Sequence, residues 1–433
     1  MSKIKRVAVF GIGRSGKAAI RLAKKHGQDL YVVNRGQPDD WYEKEGLAEL
    51  IDRCSCYAED DFVEHFSKME EIILSPGIPL THPALKKARE KNIPILSEIE
   101  YAYRFTKDIP VIAITGTNGK TTTTTMIQEA LEMMGKKVFC GGNIGIPYCE
   151  LALQSVKPDF AVIEVSSFQL ETIAEFHPRI GLILNIYPNH SERYDDPRDY
   201  ALAKYRLLLN MTKDDHLILG QENDYLSLLP KTDVSIETFS KENEVTEFDF
   251  SKAKLKGKHN QANFYAASLV LKKLGLFHHE KFQAFIESFK GVAHRLEFVR
   301  EWRGLDFYND AKSTNALATT TAIKAFENDP RDLYLILAGK LRNETDTFLP
   351  DLLPFKKRIK KIFTIGGIAK RLERELSSDF AVESFETIPQ FLEVIKQNSP
   401  KGLMIFSPGH PSFDQFTSYV DRGERFKNWV NSL

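Results

Sequence analysis

Val111-Ile112-Ala113-Ile114-Thr115-Gly116-Thr117-Asn118-Gly119-Lys120-Thr121-Thr122 is the stretch on which the reading of the whole chain turns. A β-branched run enters a glycine-bearing turn, and Lys-Thr-Thr opens a helical pattern running from Met126 to Met134. That is the layout of a phosphate-binding loop. A strand delivers the chain, glycines let backbone N–H groups close on phosphate oxygens, and the helix N-terminus adds its positive end. Lys120 can neutralise β- and γ-phosphate charge, and the Thr121 hydroxyl can reach a phosphate-bound Mg²⁺. Ile114 stands where the usual G-x-x-x-x-G-K-[ST] spacing has its first glycine. The plainer alternative is a turn and helix that hold no nucleotide.

Two apolar runs follow, Phe160–Val165 and Ile180–Ile186, each suited to a central strand buried on both faces. Glu164 lies inside the first, where a carboxylate is costly unless a cation meets it. With Thr121 it makes a candidate metal site; a glutamate at a strand edge is the alternative. The second run delivers Asn185-Ile186-Tyr187-Pro188-Asn189-His190, and His190 gains interest only from following a strand adjacent to the other two. Lys204 falls in a helical pattern, Tyr200–Leu209, where a solvated lysine is the default. Around Asp224–Lys258 the pattern shortens and becomes more polar, as in a peripheral β region.

On the N-terminal side, strand Lys5–Phe10 runs into Gly11-Ile12-Gly13-Arg14-Ser15-Gly16 and a helix to about His26. This G-x-G-x-x-G turn suggests a dinucleotide, yet the second strand, Leu30–Val33, ends at Asn34-Arg35 rather than at the acid that holds an NAD ribose. An NADP oxidoreductase using Arg35 stays open; so does another diphosphate, with Ser75-Pro76-Gly77-Ile78 after strand Glu71–Leu74 beside it. That last segment is equally readable as a simple tight turn. On the C-terminal side, beyond Gly291-Val292-Ala293-His294-Arg295, strands are expected at Leu305–Tyr308, Leu333–Leu337, Ile362–Ile365 and Leu403–Phe406. Strands alternating with helical patterns predict an α/β class with parallel sheets, whose ligands bind beyond the carboxyl ends of the strands.

The 433 residues exceed one ordinary core, and 42% apolar with 27% charged content is that of a soluble globular protein. The formal net charge of zero argues against a nucleic-acid binder. No apolar run approaches the roughly 20 residues of a membrane span, and no secretory signal is read at the start. Cys54, Cys56, Cys140 and Cys149 form neither a C-x-x-C pair nor a zinc spacing, which suits a reducing cytoplasm.

Together these residues resemble the Mur ligases. Thr115–Thr122 is similar to the ATP loop they share with folylpolyglutamate synthetases. Glu164-Val165-Ser166-Ser167-Phe168-Gln169-Leu170-Glu171 and Ser412-Phe413-Asp414-Gln415-Phe416 look like blocks of the branch that adds D-glutamate. Ser75–Ile78, Gly142-Asn143-Ile144-Gly145, His259–Asn263, His294–Glu297 and Asn309–Asn315 match in order and interval, so the likeness covers the chain. It implies three domains: a Rossmann-like UDP-substrate domain (1–97), a central P-loop ATPase-type domain on a mostly parallel sheet (98–292), and a Rossmann-like α/β amino-acid domain (293–433). The implied enzyme is a cytoplasmic, monomeric amide ligase joining D-glutamate to UDP-N-acetylmuramoyl-L-alanine through an acyl phosphate, with release of ADP and phosphate, in peptidoglycan precursor synthesis. Another Mur-type or folylpolyglutamate-type ligase is the nearest alternative.

The resemblance also assigns roles. Gly13, Arg14, Ser15, Asn34, Arg35, Ser75 and Gly77 would line the uridine diphosphate site, and Asn143 would contact the sugar-peptide part. Gly116, Thr117, Asn118, Gly119, Lys120, Thr121 and Thr122 would hold the ATP phosphates, with Asn260, Asn263, Arg295 and Asp310 nearer the nucleoside or γ-phosphate. Thr121, Glu164 and His190 would bind two Mg²⁺ ions, and Lys204 matches a lysine that the family carbamylates. Lys120, Glu164, His190 and Lys204 would form the catalytic set. Lys312, Thr314, Arg342, Ser412 and Tyr419 would surround D-glutamate. Three departures stand out: Asn189-His190 replaces the usual Asp-His, Pro408-Gly409-His410-Pro411-Ser412 replaces a Pro-Ala-Cys-Ala-Ser pattern, and Ala311 replaces the frequent serine before Lys312.

Overall fold

The computed structural model describes residues 5–42, 47–190, 193–243, 245–340, 347–412 and 414–433. They form two compact units, Met1–Val245 with Ala262–Phe282, and Thr246–Gln261 with Gln283–Leu433. Each is taken by itself.

The first unit holds two parallel sheets. One is built from β1 (Arg6–Phe10), β2 (Asp29–Asn34), β3 (Ser55–Ala58), β4 (Glu71–Leu74) and β5 (Ile95–Ser97), in the order β3-β2-β1-β4-β5. Side chains alternate across it: Val7, Val9 and Val32 enter one core, while Ala8, Phe10 and Val33 enter another on the opposite face. Burial on both faces is why these strands read as continuous apolar runs. The chain goes from β1 outward to β2 and β3, then returns to β4 on β1's other side, so the order reverses between β1 and β4. The crevice at such a reversal is where open α/β sheets take ligands, and both Gly11–Gly16 and Ser75–Gly77 emerge there.

The other sheet comprises β6 (Val111–Thr115), β7 (Val138–Gly142), β8 (Phe160–Glu164), β9 (Ile180–Ile183), β10 (His216–Gly220) and β11 (Ser235–Phe239), ordered β11-β10-β9-β6-β8-β7. β6 lies between β8 and β9, with Ile114 in register with Glu164 on one side and Leu182 on the other. The carboxyl ends of these three strands therefore adjoin. The strand expected over Ile180–Ile186 stops at Ile183, because the backbone of the next residues turns to the phosphate loop: Thr117 N donates to Asn185 O at 2.9 Å. The peripheral region contributes one edge strand, β11.

The second unit carries β12 (Glu297–Trp302), β13 (Leu305–Asn309), β14 (Leu333–Ala338), β15 (Ile359–Ile365), β16 (Val382–Phe385) and β17 (Gly402–Gly409), ordered β12-β13-β17-β14-β15-β16. Among the described strand pairs of this sheet only the β12–β13 hairpin is antiparallel; the others are parallel. Leu333, Leu335 and Leu337 pack on one face with Leu403 and Ile405, while Ile336 packs on the other with Met404 and Phe406.

Candidate functional site

The loop after β6 is shaped by its glycines. Gly116 has φ +149° and Gly119 φ +83°, a region that L side chains rarely adopt. A Cβ on Gly119 would also stand 3.2 Å from Asn263 Oδ1, which places the predicted Asn263 against the loop. Gly119 is the N-cap of the helix Lys120–Met133 and offers no side-chain oxygen to its first turn, leaving that end open to an anion. Lys120 Nζ folds back to donate to Gly116 O (2.8 Å) and Thr117 O (2.9 Å), so the cation spans the loop. Thr121 is buried and Thr122 half-buried in the helix's first turn. Asn118 is held by reciprocal amide bonds: its N–H donates to Asn185 Oδ1 at 2.8 Å, and Asn185 Nδ2 donates to Asn118 O at 3.1 Å.

Glu164 closes β8 and is 1% exposed. Its Oε1 accepts from Asn143 Nδ2 at 2.8 Å, whereas Oε2 is buried without a hydrogen-bond partner. Lys204 is likewise 1% exposed, so the solvated lysine expected from helical periodicity is corrected. Its Nζ donates to Gly116 O (2.9 Å) and Thr115 Oγ1 (3.3 Å) and lies 4.6 Å from the Tyr200 ring centroid. Burial, then the charge of Lys120, hold its pKa well below the ordinary lysine value, with Glu164 opposing. His190 has φ +58°, its N–H donating to Asn189 Oδ1 at 3.0 Å; its ring meets Phe168 edge-on at 4.8 Å and Tyr200 at 5.8 Å. The block Ser166–Leu170 is itself a capping box, with Ser166 and Gln169 satisfying each other's backbone at the start of a short helix.

At the first sheet, Gly11 N–H donates to Val33 O (2.7 Å), Ile12 N–H to Asn34 Oδ1 (3.4 Å), and Ser75 Oγ–H to Gly11 O (3.0 Å). These bonds gather the predicted turn residues at one crevice. Gly13, N-cap of the helix Arg14–Lys25, and Gly77 are both exposed, with open space around a Cβ. Neither packing nor backbone demands glycine at these two positions, which leaves room for a ligand to approach the backbone. Ser15 is half-buried, Arg14 exposed, and Arg35 points outward with its side chain 87% exposed, 3.7 Å from Glu59.

In the second unit Asp310, after β13, is 4% exposed and accepts from Ser407 Oγ (2.7 Å), Ser313 Oγ and Leu296 N (3.1 Å). Burial pushes its carboxyl up to about 6 against these hydrogen bonds and nearby Arg295. Lys312 N–H donates to His294 O at 3.0 Å. Ser412 is buried, Thr314 half-buried and Tyr419 exposed. Asn260 is buried, its Nδ2 donating to Lys256 O at 2.7 Å. Arg342 lies outside the described residues. Arg422, fully buried on the helix Tyr419–Asn431, was not singled out by sequence. It donates to His410 O (2.9 Å) and Ala311 O (2.8 Å), tying the loops that carry Ser412 and Lys312.

Among the described residues no three His, Cys, Asp or Glu side chains form a ready-made metal cage. The donors present nevertheless fit Mg²⁺, which takes oxygen ligands and usually keeps substrate phosphates and waters among them. Glu164 Oε2 is a buried carboxylate oxygen left over for a cation. Asn185 and Tyr200 were missed as site elements; Tyr200, whose hydroxyl lies 3.2 Å from Thr117 Oγ1, had only its place one turn before Lys204 to mark it.

Comparison with known proteins adds a second line. The family profile described as Mur ligase middle domain matches residues 114–271, and that described as Mur ligase MurD-like, N-terminal domain matches residues 5–97. The chain is 34% identical to the UDP-N-acetylmuramoylalanine--D-glutamate ligase of Caldicellulosiruptor bescii, covering 100% of this chain and 98% of that one. The ligases of the same name from Streptococcus mutans and Aquifex aeolicus are also 34% identical, over 99% and 98% of this chain and 97% of each relative. Among solved structures the fold is similar to MurF from Acinetobacter baumannii (TM-score 0.59, 16% identity, covering 100% of this chain and 94% of that one). It is also similar to UDP-N-acetylmuramate-alanine ligase MurC from Thermotoga maritima (TM-score 0.55, 19% identity, covering 99% and 100%).

Proposed function

The chain belongs to the UDP-N-acetylmuramoylalanine–D-glutamate ligases of the Mur family, and from that premise we propose that it joins D-glutamate to UDP-N-acetylmuramoyl-L-alanine with ATP, releasing ADP and phosphate, in peptidoglycan precursor synthesis. The observation that carries this reading is the adjacency of the loop Gly116–Thr121 with buried Glu164, its Oε2 unpartnered, and buried Lys204. A nucleotide cradle alone would serve many reactions; a buried carboxylate oxygen left over for a cation, and a buried lysine whose ammonium form is disfavoured, narrow it to metal-assisted phosphoryl transfer to a carboxylate.

In the first step the substrate carboxylate attacks the γ-phosphorus, the bond to the bridging oxygen breaks, and ADP leaves with its electron pair. Two anions meet, so positioned cations and dipoles carry the step. Lys120 and the open first turn of its helix supply them, with Asn118 kept in place by Asn185 and Asn263 against Gly119. Mg²⁺ held by Thr121, Glu164 and His190, together with ATP phosphates, would supply further cancellation of that charge. The amine of D-glutamate then adds to the acyl carbon of the acyl phosphate, and loss of its proton and of phosphate leaves the amide. Lys312, Thr314, Ser412, Tyr419 and Arg342 are proposed to hold D-glutamate, with Asn260, Arg295 and Asp310 toward the nucleotide. Gly13, Arg14, Ser15, Asn34, Arg35, Ser75 and Gly77 are proposed to hold the uridine diphosphate, with Asn143 toward the sugar-peptide.

Two Mg²⁺ ions, a carbamate on Lys204, a monomeric state, a cytoplasmic setting and the division 1–97, 98–292 and 293–433 belong to the same proposal. The departing Asn189 removes one carboxylate near His190, which increases the need for an anion on Lys204. No described helix is long and apolar enough to cross a membrane. The test is ADP formation from UDP-N-acetylmuramoyl-L-alanine and ATP, with and without D-glutamate. Turnover that needs D-glutamate supports the reading. Turnover that needs meso-diaminopimelate or a folate, and ignores D-glutamate, overturns it.

A further inference from the structure

Arg193 does none of the chemistry above, yet its side chain is only 10% exposed. Its guanidinium forks onto Glu171, Nη2 to Oε2 at 2.6 Å and Nε to Oε1 at 3.3 Å. Nη1 points away from that pair and donates to Pro76 O at 3.2 Å and Ile78 O at 3.5 Å, the carbonyls on either side of Gly77. The guanidinium carbon also lies 4.1 Å from the centroid of the Phe168 ring. The same ring meets the His190 imidazole at 4.8 Å and 64°. Tyr194 closes the cluster, its hydroxyl donating to Glu171 Oε1 and its ring 5.9 Å from Phe168.

One rigid group thus touches the turn after β4, the segment after β8 and, through one aromatic ring, the imidazole after β9. A lysine could keep the ion pair with Glu171, but its compact ammonium has no planar fork with which to pair that carboxylate twice, reach the two carbonyls and sit over the ring at once. We propose that Arg193 is a positioning residue that sets the Ser75–Ile78 turn and His190 in one arrangement, so that seating of the UDP-substrate and ordering of the imidazole are linked. The identity of the substrate rests on the functional reading above; the linkage rests on the contacts.

The experiment uses the full chain with Arg193→Lys and, separately, Glu171→Gln. Calorimetric binding of UDP-N-acetylmuramoyl-L-alanine without ATP is expected to weaken about tenfold, the Mg²⁺ concentration for half-maximal turnover to rise severalfold, and the KM for D-glutamate to stay within about twofold. Phe168→Leu should shift the Mg²⁺ requirement less in the Arg193→Lys background than in the native chain. In the ligand-free protein the ring resonances of His190 should move on Arg193→Lys. Unchanged substrate affinity, Mg²⁺ requirement and His190 resonances overturn the inference, however far kcat or thermal stability falls. A native chain that forms no product with these substrates overturns the functional reading instead, and the His190 resonances still decide the linkage.

Discussion

At the scale of one residue, the role proposed for Lys204 rests on its burial. Among the described residues its Nζ donates only to uncharged oxygens, Gly116 O and Thr115 Oγ1, so nothing nearby stabilises the ammonium by a direct ion pair. Desolvation and Lys120 therefore favour the free amine, the form that adds to carbon dioxide with loss of a proton. Lys204→Ala is expected to lower turnover about a hundredfold or more, with partial recovery when a short carboxylic acid is added in place of the proposed carbamate. Steady-state ADP release with and without acetate or formate checks this, and ordinary turnover in the variant would overturn the proposed role of Lys204. Acidification should reduce native activity by protonating the amine. None of this was legible from the residue itself. A lysine in the short helix Pro197–Tyr205 reads as a solvated face, because periodicity cannot tell that the polar side of this helix meets the phosphate loop.

At the scale of elements, the sequence told most where a strand is buried on both faces and ends in a special turn. β4 was read to the residue, and β6 was read together with the glycine turn that follows it, the centre of the proposed site. The strands β3, β5, β7, β10, β11, β12 and β16 escaped individual assignment, since runs of three to six residues carry little periodicity. The turn after β1 was legible for a steric reason: a Cβ on Gly16 would stand 1.8 Å from Gly11 O. The loop after β9 was not, because its work is done by the Asn185 amide, and an asparagine in a loop looks like any turn residue. Removing that amide frees both the N–H and the carbonyl of Asn118. Asn185→Ala should accordingly raise the KM for ATP about tenfold while the KM for D-glutamate moves far less. Equal effects on both substrates would mean that Asn185 supports the fold rather than the loop.

At the scale of the molecule, the first unit works as one body because its two sheets share a continuous core, from Val7 and Ile20 through Tyr148 to Ile163. The helix Glu98–Tyr103 joins them with two buried carboxylates of opposite character. Glu100, fully buried, accepts from the backbone N–H groups of Ala174, Glu175 and Phe176, each at 2.9 Å. Glu98 accepts from Cys149 N through Oε1, while its Oε2 is buried without a partner. Burial raises the Glu98 carboxyl from 4.5 to about 7, so the fold holds a proton there that the unfolded chain releases. Between those two values the native state binds more protons than the unfolded one, and stability from this group falls as pH rises. It is fully present below about 4.5 and lost as pH passes through about 7. Glu98→Gln removes the titration while keeping the shape. The melting temperature of the variant minus that of the native chain should thus be most favourable to the variant at pH 8 and decline steadily toward pH 5. The slope is the readout, because an amide in place of the carboxyl also changes the hydrogen bond to Cys149 at every pH. A difference that stays flat from pH 5 to 8 would show that Glu98 does not exchange its proton in this range and that the junction of the two sheets is indifferent to acid.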